Sequence, residues 1–190
     1  MRILHSMEAF DEAGCVLALG TFDGVHLGHA RLIERTVGLA REWNLPAAAL
    51  TFDRHPLALI RPDDVPPPLT SPAEKERLLA ALDLDVLIEE PFTADFAAQT
   101  PEEYLARIAG ALRPRAVVAG YNHSFGRGGL GNAALLRALA PRLGYEPVIL
   151  APVCVDGEPV SSSRIRALLS QGKRDEAEKL AGHPLLQPEI

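Results

Sequence analysis

The sequence has few cysteines and no long hydrophobic run, and both absences exclude classes of protein. Its two cysteines, Cys15 and Cys154, lie far apart in or beside apolar stretches. We therefore expect two reduced core residues rather than a disulfide framework. No stretch approaches the roughly 18 apolar residues that span a bilayer, and the N-terminal segment lacks the apolar core of a signal peptide. These features predict a soluble, cytoplasmic protein with no membrane partner.

The chain also lacks an excess of basic residues. Its formal net charge is −6 and its pI is near 5.5, and no local cluster of lysine and arginine interrupts the acidic balance. Such a chain has no field that attracts a polyanion, so we expect no nucleic-acid partner. A small anionic ligand is still compatible, because backbone N–H groups and single arginines can bind phosphate at any total charge.

Length and composition favour one ordinary domain. The chain has 190 residues, of which 47% are hydrophobic, enough for a core of its own. It contains no internal repeat and no coiled-coil heptad. We predict a single domain over residues 1–185, followed by a C-terminal tail over 186–190.

Short apolar runs alternate with helical patterns along the whole chain. This alternation is typical of an α/β fold, and it predicts a Rossmann-like, doubly wound, mainly parallel five-stranded sheet with helices on both faces. The five runs are "CVLALG", "AAALTF", "DVLIEE", "AVVAG" and "EPVILAPV". In such sheets ligands bind beyond the carboxyl ends of the strands, so the segments that follow the strands are the candidates for function.

The most informative of these segments is "GTFDGVHLGH", residues 20–29, between the first run and a helical pattern. His26 and His29 are separated by Gly28, which lets the backbone approach a ligand closely. A helix that begins near Gly28 or His29 adds free N–H groups and a positive dipole end, which together form an anion site. Imidazole donors at that position suit the charge that develops on phosphoryl oxygens in a transition state.

Two other interpretations of this loop stay open. The two histidines could form a metal cluster with Asp23, Asp53 and His55, since imidazole and carboxylate are ordinary zinc or iron ligands. The loop could also be a plain glycine turn.

"VSSSRIR", residues 160–166, predicts a second phosphate-binding helix start. Ser161 or Ser162 can cap the helix, and Arg164 and Arg166 lie in its first turns. Arginine is unfavourable near the positive end of a helix unless an anion offsets it, as a bound polyphosphate would. The alternative is an ordinary capped helix.

Two loops complete the candidate site. In "AGYNHSFGRGGLGN", residues 119–132, Asn122 could hydrogen-bond the edge of a planar ring and Phe125 offers an apolar face. Residues 53–71 are too proline-rich for a helix and are long for a connector, so they could form a lid or a stiff surface excursion.

In these segments the chain resembles the adenylyltransferase module of bacterial FAD synthetases, members of the nucleotidyltransferase superfamily with the His-x-Gly-His signature. The resemblance runs from about Cys15 to Pro184, with the matching segments in the family's order. They are "LGTFDGVHLGH", "LTFDRHP", "LTSPAEKERLL", "EEPFTADFAAQTPEEYLARI", "GYNHSFGRGGLGN" and "VSSSRIRALLSQG".

The resemblance implies transfer of AMP from ATP to FMN, giving FAD and pyrophosphate, with magnesium on the phosphates and no definite ligand of that magnesium among the protein's residues. It implies catalytic roles for His26 and His29. The residues that it assigns to ATP are Gly20, Phe22, Gly24, Gly28, Ser161, Ser162, Ser163 and Arg166. It assigns Asn122 and Phe125 to the flavin. It places Asp53 and His55, which share one loop, beside the flavin or the metal. The FMN phosphate is already deprotonated at neutral pH, so no general base is required.

The chain departs from the family pattern at two positions. Arg54 stands where proline or glutamate is usual, and His123 stands where phenylalanine is common, which would alter the flavin pocket. Many family members continue into a β-barrel riboflavin kinase domain, and its Pro-Thr-Ala-Asn-type segment is absent from this sequence. We therefore expect either a single-activity protein, to which a separate riboflavin kinase supplies FMN, or an excised module of a bifunctional protein. Two alternatives stay open: a different phosphorylated acceptor, and a flavin- or nucleotide-binding module without turnover.

Overall fold

A computed structural model describes residues 1–185 of the chain, and its centre is a parallel sheet. The predicted tail, 186–190, lies outside the described residues. The strands of this sheet are β1 (Arg2–Leu4), β2 (Cys15–Leu19), β3 (Ala47–Phe52), β4 (Val86–Glu90), β5 (Pro114–Gly120) and β6 (Glu146–Leu150). The helices are α1 (Leu27–Trp43), α2 (Leu57–Ile60), α3 (Pro72–Ala81), α4 (Ala94–Ala98), α5 (Pro101–Leu112), α6 (Ala133–Leu143), α7 (Ser162–Ser170) and α8 (Arg174–Ala181).

The strand order is β1-β4-β3-β2-β5-β6, with all neighbours parallel. The five predicted strands are confirmed, and from β2 onward their order is that of a doubly wound nucleotide-binding sheet. The order reverses between β2 and β5. A crevice therefore opens where the chain leaves these two strands in opposite directions.

Helices cover both faces, as predicted. Alternate residues of each strand point to opposite sides, so Val16 and Ala18 of β2 pack under α1 and α3, whereas Leu17 and Leu19 pack under α5 and α6. Strands buried on both faces read as continuous apolar runs, which is why "CVLALG" was recognisable in the sequence.

The C-terminal part forms a smaller third cluster beside the sheet. A hairpin of β7 (Cys154–Val155) and β8 (Glu158–Pro159) precedes α7 and α8, which pack together through Ile165, Leu180 and neighbouring apolar residues. Helix α8 ends at Gly182, whose φ of 78° is the left-handed conformation that glycine favours after a helix.

Four details differ from the sequence-based predictions. The sheet has a sixth strand, Arg2–Leu4, whose three half-exposed residues are too short a run to be recognised. Cys154 is exposed, because it lies on the small hairpin and not in the sheet; Cys15 is buried and both are free. The proline-rich segment contains the single-turn helix α2. Helix α1 begins at Leu27, one residue before the Gly28 or His29 start considered from the sequence. Among the helices of residues 1–185, none has both the length and the apolar character to cross a bilayer.

Candidate active site

A cavity of about 700 Å³ lies at the carboxyl ends of the strands, where the topology predicts it. Its volume is typical of small-molecule sites. Segments that follow β2, β3, β4, β5 and β6 all contribute to its lining. The predicted site residues that line it are Gly20, His26, Gly28, His29, Asn122, Phe125, Ser161, Ser162 and Ser163.

The loop from β2 to α1 has an unusual backbone. Phe22, Gly24 and Val25 have φ values of 49°, 79° and 33°. Left-handed conformations are unfavourable for a phenylalanine and more so for a β-branched valine. Tertiary packing offsets this cost: the Phe22 side chain is fully buried in the core, and the Gly24 N–H donates to the hydroxyl of Thr70 (3.4 Å). The loop is therefore held in one shape before any ligand arrives.

This loop places the rings of His26 and His29 in a stacked pair. The His26 and His29 rings lie 3.8 Å apart between centroids and are inclined by 9°. His26 is the N-cap of α1, and its Nδ1 accepts the backbone N–H of His29 (3.3 Å). Nδ1 is thus an acceptor, so the proton of a neutral His26 ring is on Nε2, free to donate to a ligand.

Both rings are uncharged in the free protein at neutral pH. Burial lowers the pKa of His26 to about 4. Burial, with the neighbouring His26 ring, lowers the pKa of His29 well below its ordinary value. Nδ1 of His29 is buried and has no hydrogen-bond partner among residues 1–185. The pair is poised to gain contacts from a ligand, and an anion here would favour protonation of the rings.

The N-terminus of α7 lies beside that of α1. Ser161 caps α7 by accepting the backbone N–H of Arg164 (3.2 Å), and the Ser162 hydroxyl donates to the carbonyl oxygen of Asp23 (2.9 Å). A Cβ on Gly28 would lie 3.1 Å from the His26 ring and 4.0 Å from the carbonyl oxygen of Val160, so the two helix starts are in close contact. Two sets of free N–H groups and two positive dipole ends therefore meet in one cavity.

The two arginines of α7 bind different partners, and neither lines the cavity where the two helix starts meet. The Arg164 guanidinium bonds the carbonyl oxygens of Val155, Glu158 and Pro159 and so ties α7 to the hairpin, contrary to the phosphate role considered for it. The Arg166 guanidinium is paired with the carboxylate of Asp23 and donates to the carbonyl oxygen of Pro67 (2.8 Å).

A second group of lining residues forms an aromatic wall. Six rings form a continuous series of contacts, with neighbouring centroids 4.9 to 5.8 Å apart. They belong to Phe52, Phe92, Phe96, Tyr104, Phe125 and His123. Only Phe125 among them was predicted as a site residue. The signal that could have found the others is scarcity: the chain has ten Phe, Tyr and Trp residues, and six of them, the five in the wall and Tyr121, line the cavity.

The described residues hold no group of three or more His, Cys, Asp or Glu side chains placed to bind a metal ion. The five residues of the possible metal cluster are separated. His26 and His29 line the first cavity, whereas Asp23, Asp53 and His55 line a second cavity of about 480 Å³ under the proline-rich segment.

Comparison with known proteins places this site in a family. The model of the FAD synthetase family matches residues 9–164, which is most of the chain. The chain belongs to the FAD synthetase family. The match includes both helix starts, the aromatic wall and the proline-rich segment.

Two curated proteins support the assignment to the FAD synthetase family. The chain is 32% identical over 185 residues to the bifunctional riboflavin kinase/FMN adenylyltransferase of Escherichia coli (strain K12), covering 97% of this chain and 59% of that protein. It is 33% identical over 175 residues to the FAD synthetase of Listeria monocytogenes (strain EGD-e), covering 92% of this chain and 71% of that protein. The chain thus spans less than two thirds of the length of the E. coli relative.

A solved structure agrees with the fold. The crystal structure of a macrolide-efflux protein from Streptococcus pneumoniae has a TM-score of 0.84 and 29% identity to this chain, covering 97% of this chain and 62% of that one. The Rossmann-like architecture predicted from the sequence is confirmed.

Five residues that the FAD synthetase resemblance assigned to ligands do not line the first cavity. Phe22 is fully buried in the core, with its ring against His29, and Gly24 lies against Leu69; neither lines either cavity. Asp53 and His55 line the second cavity, as does Arg166.

Proposed function

We propose that this chain transfers AMP from ATP to the phosphate of FMN, giving FAD and releasing pyrophosphate. One observation carries the proposal: two capped helix N-termini and a stacked pair of neutral imidazoles share a cavity with a wall of aromatic rings. The helix N-termini and the imidazoles suit a polyphosphate, and the aromatic wall suits a planar apolar ring. Membership of the FAD synthetase family supports the same pairing of substrates.

The triphosphate of ATP binds at the helix starts of α1 and α7. The free N–H groups and the hydroxyls of Ser161, Ser162 and Ser163 surround it, and the close approach of Gly28 leaves room for it. Nε2 of His26 donates to a phosphoryl oxygen, and His29 does the same. Both bonds strengthen as charge develops in the transition state, which is how preorganised donors accelerate the reaction.

Arg166 acts from outside the cavity. It holds Asp23, and therefore the loop that carries the histidines, through its ion pair with the Asp23 carboxylate. Phe22 and Gly24 likewise act by shaping this loop. We propose that these three residues position the ATP-binding groups without touching ATP.

The flavin ring of FMN packs on the aromatic wall near Phe125, and the amide of Asn122 pairs with a polar atom of the ring. Asp53 and His55 support this side of the site through the proline-rich segment. The Asp53 carboxylate accepts the backbone N–H of Phe92 (2.9 Å), a residue of the wall itself.

The chemistry needs few groups from the protein. An oxygen of the FMN phosphate forms a bond to the α-phosphorus of ATP, the bond from that phosphorus to the bridging oxygen breaks, and the electron pair leaves with pyrophosphate. The attacking oxygen carries no proton at neutral pH, so no base is required. Magnesium enters with ATP as part of the substrate and neutralises phosphate charge.

The test is direct. The purified chain is incubated with ATP, magnesium and FMN, and the products are separated to quantify FAD and pyrophosphate. Equal amounts of both support the proposal. Pyrophosphate release only with another acceptor would reassign the substrate. Binding of ATP and FMN without any product would make the chain a binding module.

A further inference from the structure

His123 is a polar residue in the aromatic wall. It follows β5 in a turn in which its backbone N–H donates to the carbonyl oxygen of Gly120 (3.0 Å). Its ring stacks on Phe125, with centroids 5.8 Å apart and planes inclined by 25°. The residue lines the main cavity between Asn122 and Phe125, the two residues proposed to meet the flavin. Its ring therefore faces the same ligand.

The Nε2 atom of His123 is buried and has no hydrogen-bond partner among residues 1–185. Buried polar atoms in folded proteins are nearly always paired, as Tyr145 is in this chain through its hydroxyl bond to the carbonyl oxygen of Leu136 (2.7 Å). His123 lines the cavity, so a small turn of its ring would bring this unpaired nitrogen to a bound ligand. Packing alone does not require the nitrogen, because a phenyl ring stacks on Phe125 equally well.

The ring is neutral in the free protein, since burial lowers the pKa of His123 to about 4. A neutral imidazole has one N–H and one lone pair, so Nε2 can serve a ligand as a donor or as an acceptor. Planar heterocycles with ring nitrogens and carbonyl oxygens on one edge offer both kinds of partner. A purely apolar ring offers neither.

We infer that His123 determines acceptor specificity by hydrogen-bonding, through Nε2, a polar edge atom of the acceptor's planar ring. The inference rests on the proposed transfer to FMN and deepens it: the acceptor must be a heterocycle with a polar edge at the position of His123. An acceptor with the same phosphate and an apolar ring edge at that position is discriminated against, because it leaves the nitrogen buried and unpaired.

The experiment compares the full chain with His123→Phe, which keeps an aromatic ring and removes both nitrogens, and with His123→Gln, whose amide can reach the position of Nε2. Binding of FMN is measured by the change in flavin fluorescence at pH 7.5, and ATP binding is measured separately. We expect His123→Phe to bind FMN about tenfold more weakly, the size of one lost hydrogen bond. His123→Gln should recover part of that loss, and ATP affinity should stay the same in all three proteins.

Two flavin analogues locate the edge atom. They are 3-methyl-FMN, which blocks the ring N3–H, and 5-deaza-FMN, in which a C–H replaces N5. The native chain should bind at least one analogue more weakly than FMN, whereas His123→Phe should not distinguish that analogue from FMN.

The outcomes separate the two claims. If the native chain makes FAD and His123→Phe binds FMN with unchanged affinity, or weakens FMN and both analogues by one common factor, His123 contributes packing only and the inference is overturned. If the native chain neither binds FMN nor makes FAD, the proposed function fails and the inference fails with it. Should His123→Phe unfold, His123→Gln with the same analogue panel decides the question.

Discussion

At the scale of single residues, the candidate site depends on two imidazole rings that the fold keeps uncharged. His26 is fixed as the cap of α1, and His29 stacks on it from the first turn of the same helix. A pair of neutral rings can lie 3.8 Å apart without the repulsion that two charged rings would have. The protein therefore holds two preorganised hydrogen-bond donors, and their bonds to a ligand become strongest as negative charge develops on it.

The first prediction concerns His29. His29→Ala should lower the turnover of FAD synthesis by about 10²–10³-fold, because removing one preorganised donor to a developing oxyanion has effects of that size. The measurement is FAD formation with saturating ATP and FMN, with unfolding curves to show that the variant is folded. His5→Ala, at an exposed position near the N-terminus, is the control and should retain full turnover. Near-normal turnover in His29→Ala would remove this side chain from the mechanism.

The second prediction concerns Gly28. An alanine Cβ at this position would lie 3.1 Å from Cε1 and 3.2 Å from Nδ1 of His26, so the ring would have to shift by a few tenths of an ångström. Gly28→Ala should therefore lower turnover by about threefold to tenfold, since misplacement of a catalytic group by about 1 Å costs about 10²-fold.

Gly38 provides the matched control in the same helix. A Cβ there meets nothing within 4 Å. Gly38→Ala should leave turnover unchanged and stabilise the fold by about 0.5–1 kcal/mol, the usual gain for this exchange in a helix. If both variants keep full turnover, the close approach at Gly28 has no catalytic role.

At the scale of elements, the site is assembled by contacts between segments that are remote in sequence. The Asp23 carboxylate accepts the backbone N–H of Leu69 (3.1 Å) and pairs with Arg166, which also bonds the carbonyl oxygen of Pro67. Nε2 of His183 lies 2.8 Å from the carbonyl oxygen of Gly24 in the same loop. The histidine loop, the proline-rich segment and the C-terminal helices are thereby held as one unit.

The third prediction tests this connection. Arg166→Gln leaves a half-buried carboxylate without its charge partner, so we expect a stability loss of about 1–3 kcal/mol. Amide hydrogens of residues 57–69 should exchange faster with solvent, and KM for ATP should rise. Hydrogen-exchange mass spectrometry and steady-state kinetics measure the two effects.

Two comparisons sharpen the result. Asp23→Asn and the double variant complete a mutant cycle. If Asp23 and Arg166 interact, the stability loss of the double variant should be smaller than the sum of the two single losses. Lys173→Gln removes an exposed ion pair on α8 and should change neither exchange nor kinetics. Additive effects of Asp23→Asn and Arg166→Gln would show that the pair does not hold the segment.

At the scale of the whole molecule, burying uncharged histidines makes stability depend on pH. The pKa values of His26 and His123 are about 4 in the folded protein, whereas unfolded histidine titrates near 6.5. Between these values the unfolded chain binds more protons than the folded one. Stability is therefore fully present above pH 6.5 and is lost as pH falls toward 4.

The fourth prediction follows from that dependence. Between pH 7.5 and 5.0 the native chain should lose about 2 kcal/mol of unfolding free energy for each such histidine. His123→Phe should lose less than the native chain by about that amount, because the contributions of all other groups cancel in the comparison. Urea unfolding at the two pH values measures it, with the exposed His5→Gln as the control that declines like the native chain. Parallel declines in all three proteins would mean that His123 is not kept neutral by the fold.

What the sequence by itself determined is what short-range spacing controls. Short runs such as "CVLALG" favour strands buried on both sides, and the strand-helix alternation then favours a parallel sheet with its site at the carboxyl ends. The two helix starts were also recognisable, because His26, Gly28 and His29 lie within one turn, as do Ser161 and its helix. The three-residue strand β1 gave no comparable signal.

Only the tertiary structure decided which remote residues meet, because chain crossings rather than local spacing set those distances. It joined Ser162 to the carbonyl of Asp23, 139 positions away in sequence. It turned Arg164 toward the hairpin and Arg166 toward Asp23, although both lie in the first turns of one helix. It exposed Cys154, and it brought rings from separate strand ends into one wall. Each of these outcomes depends on how elements pack across the sheet, a long-range property that periodicity and capping patterns do not contain.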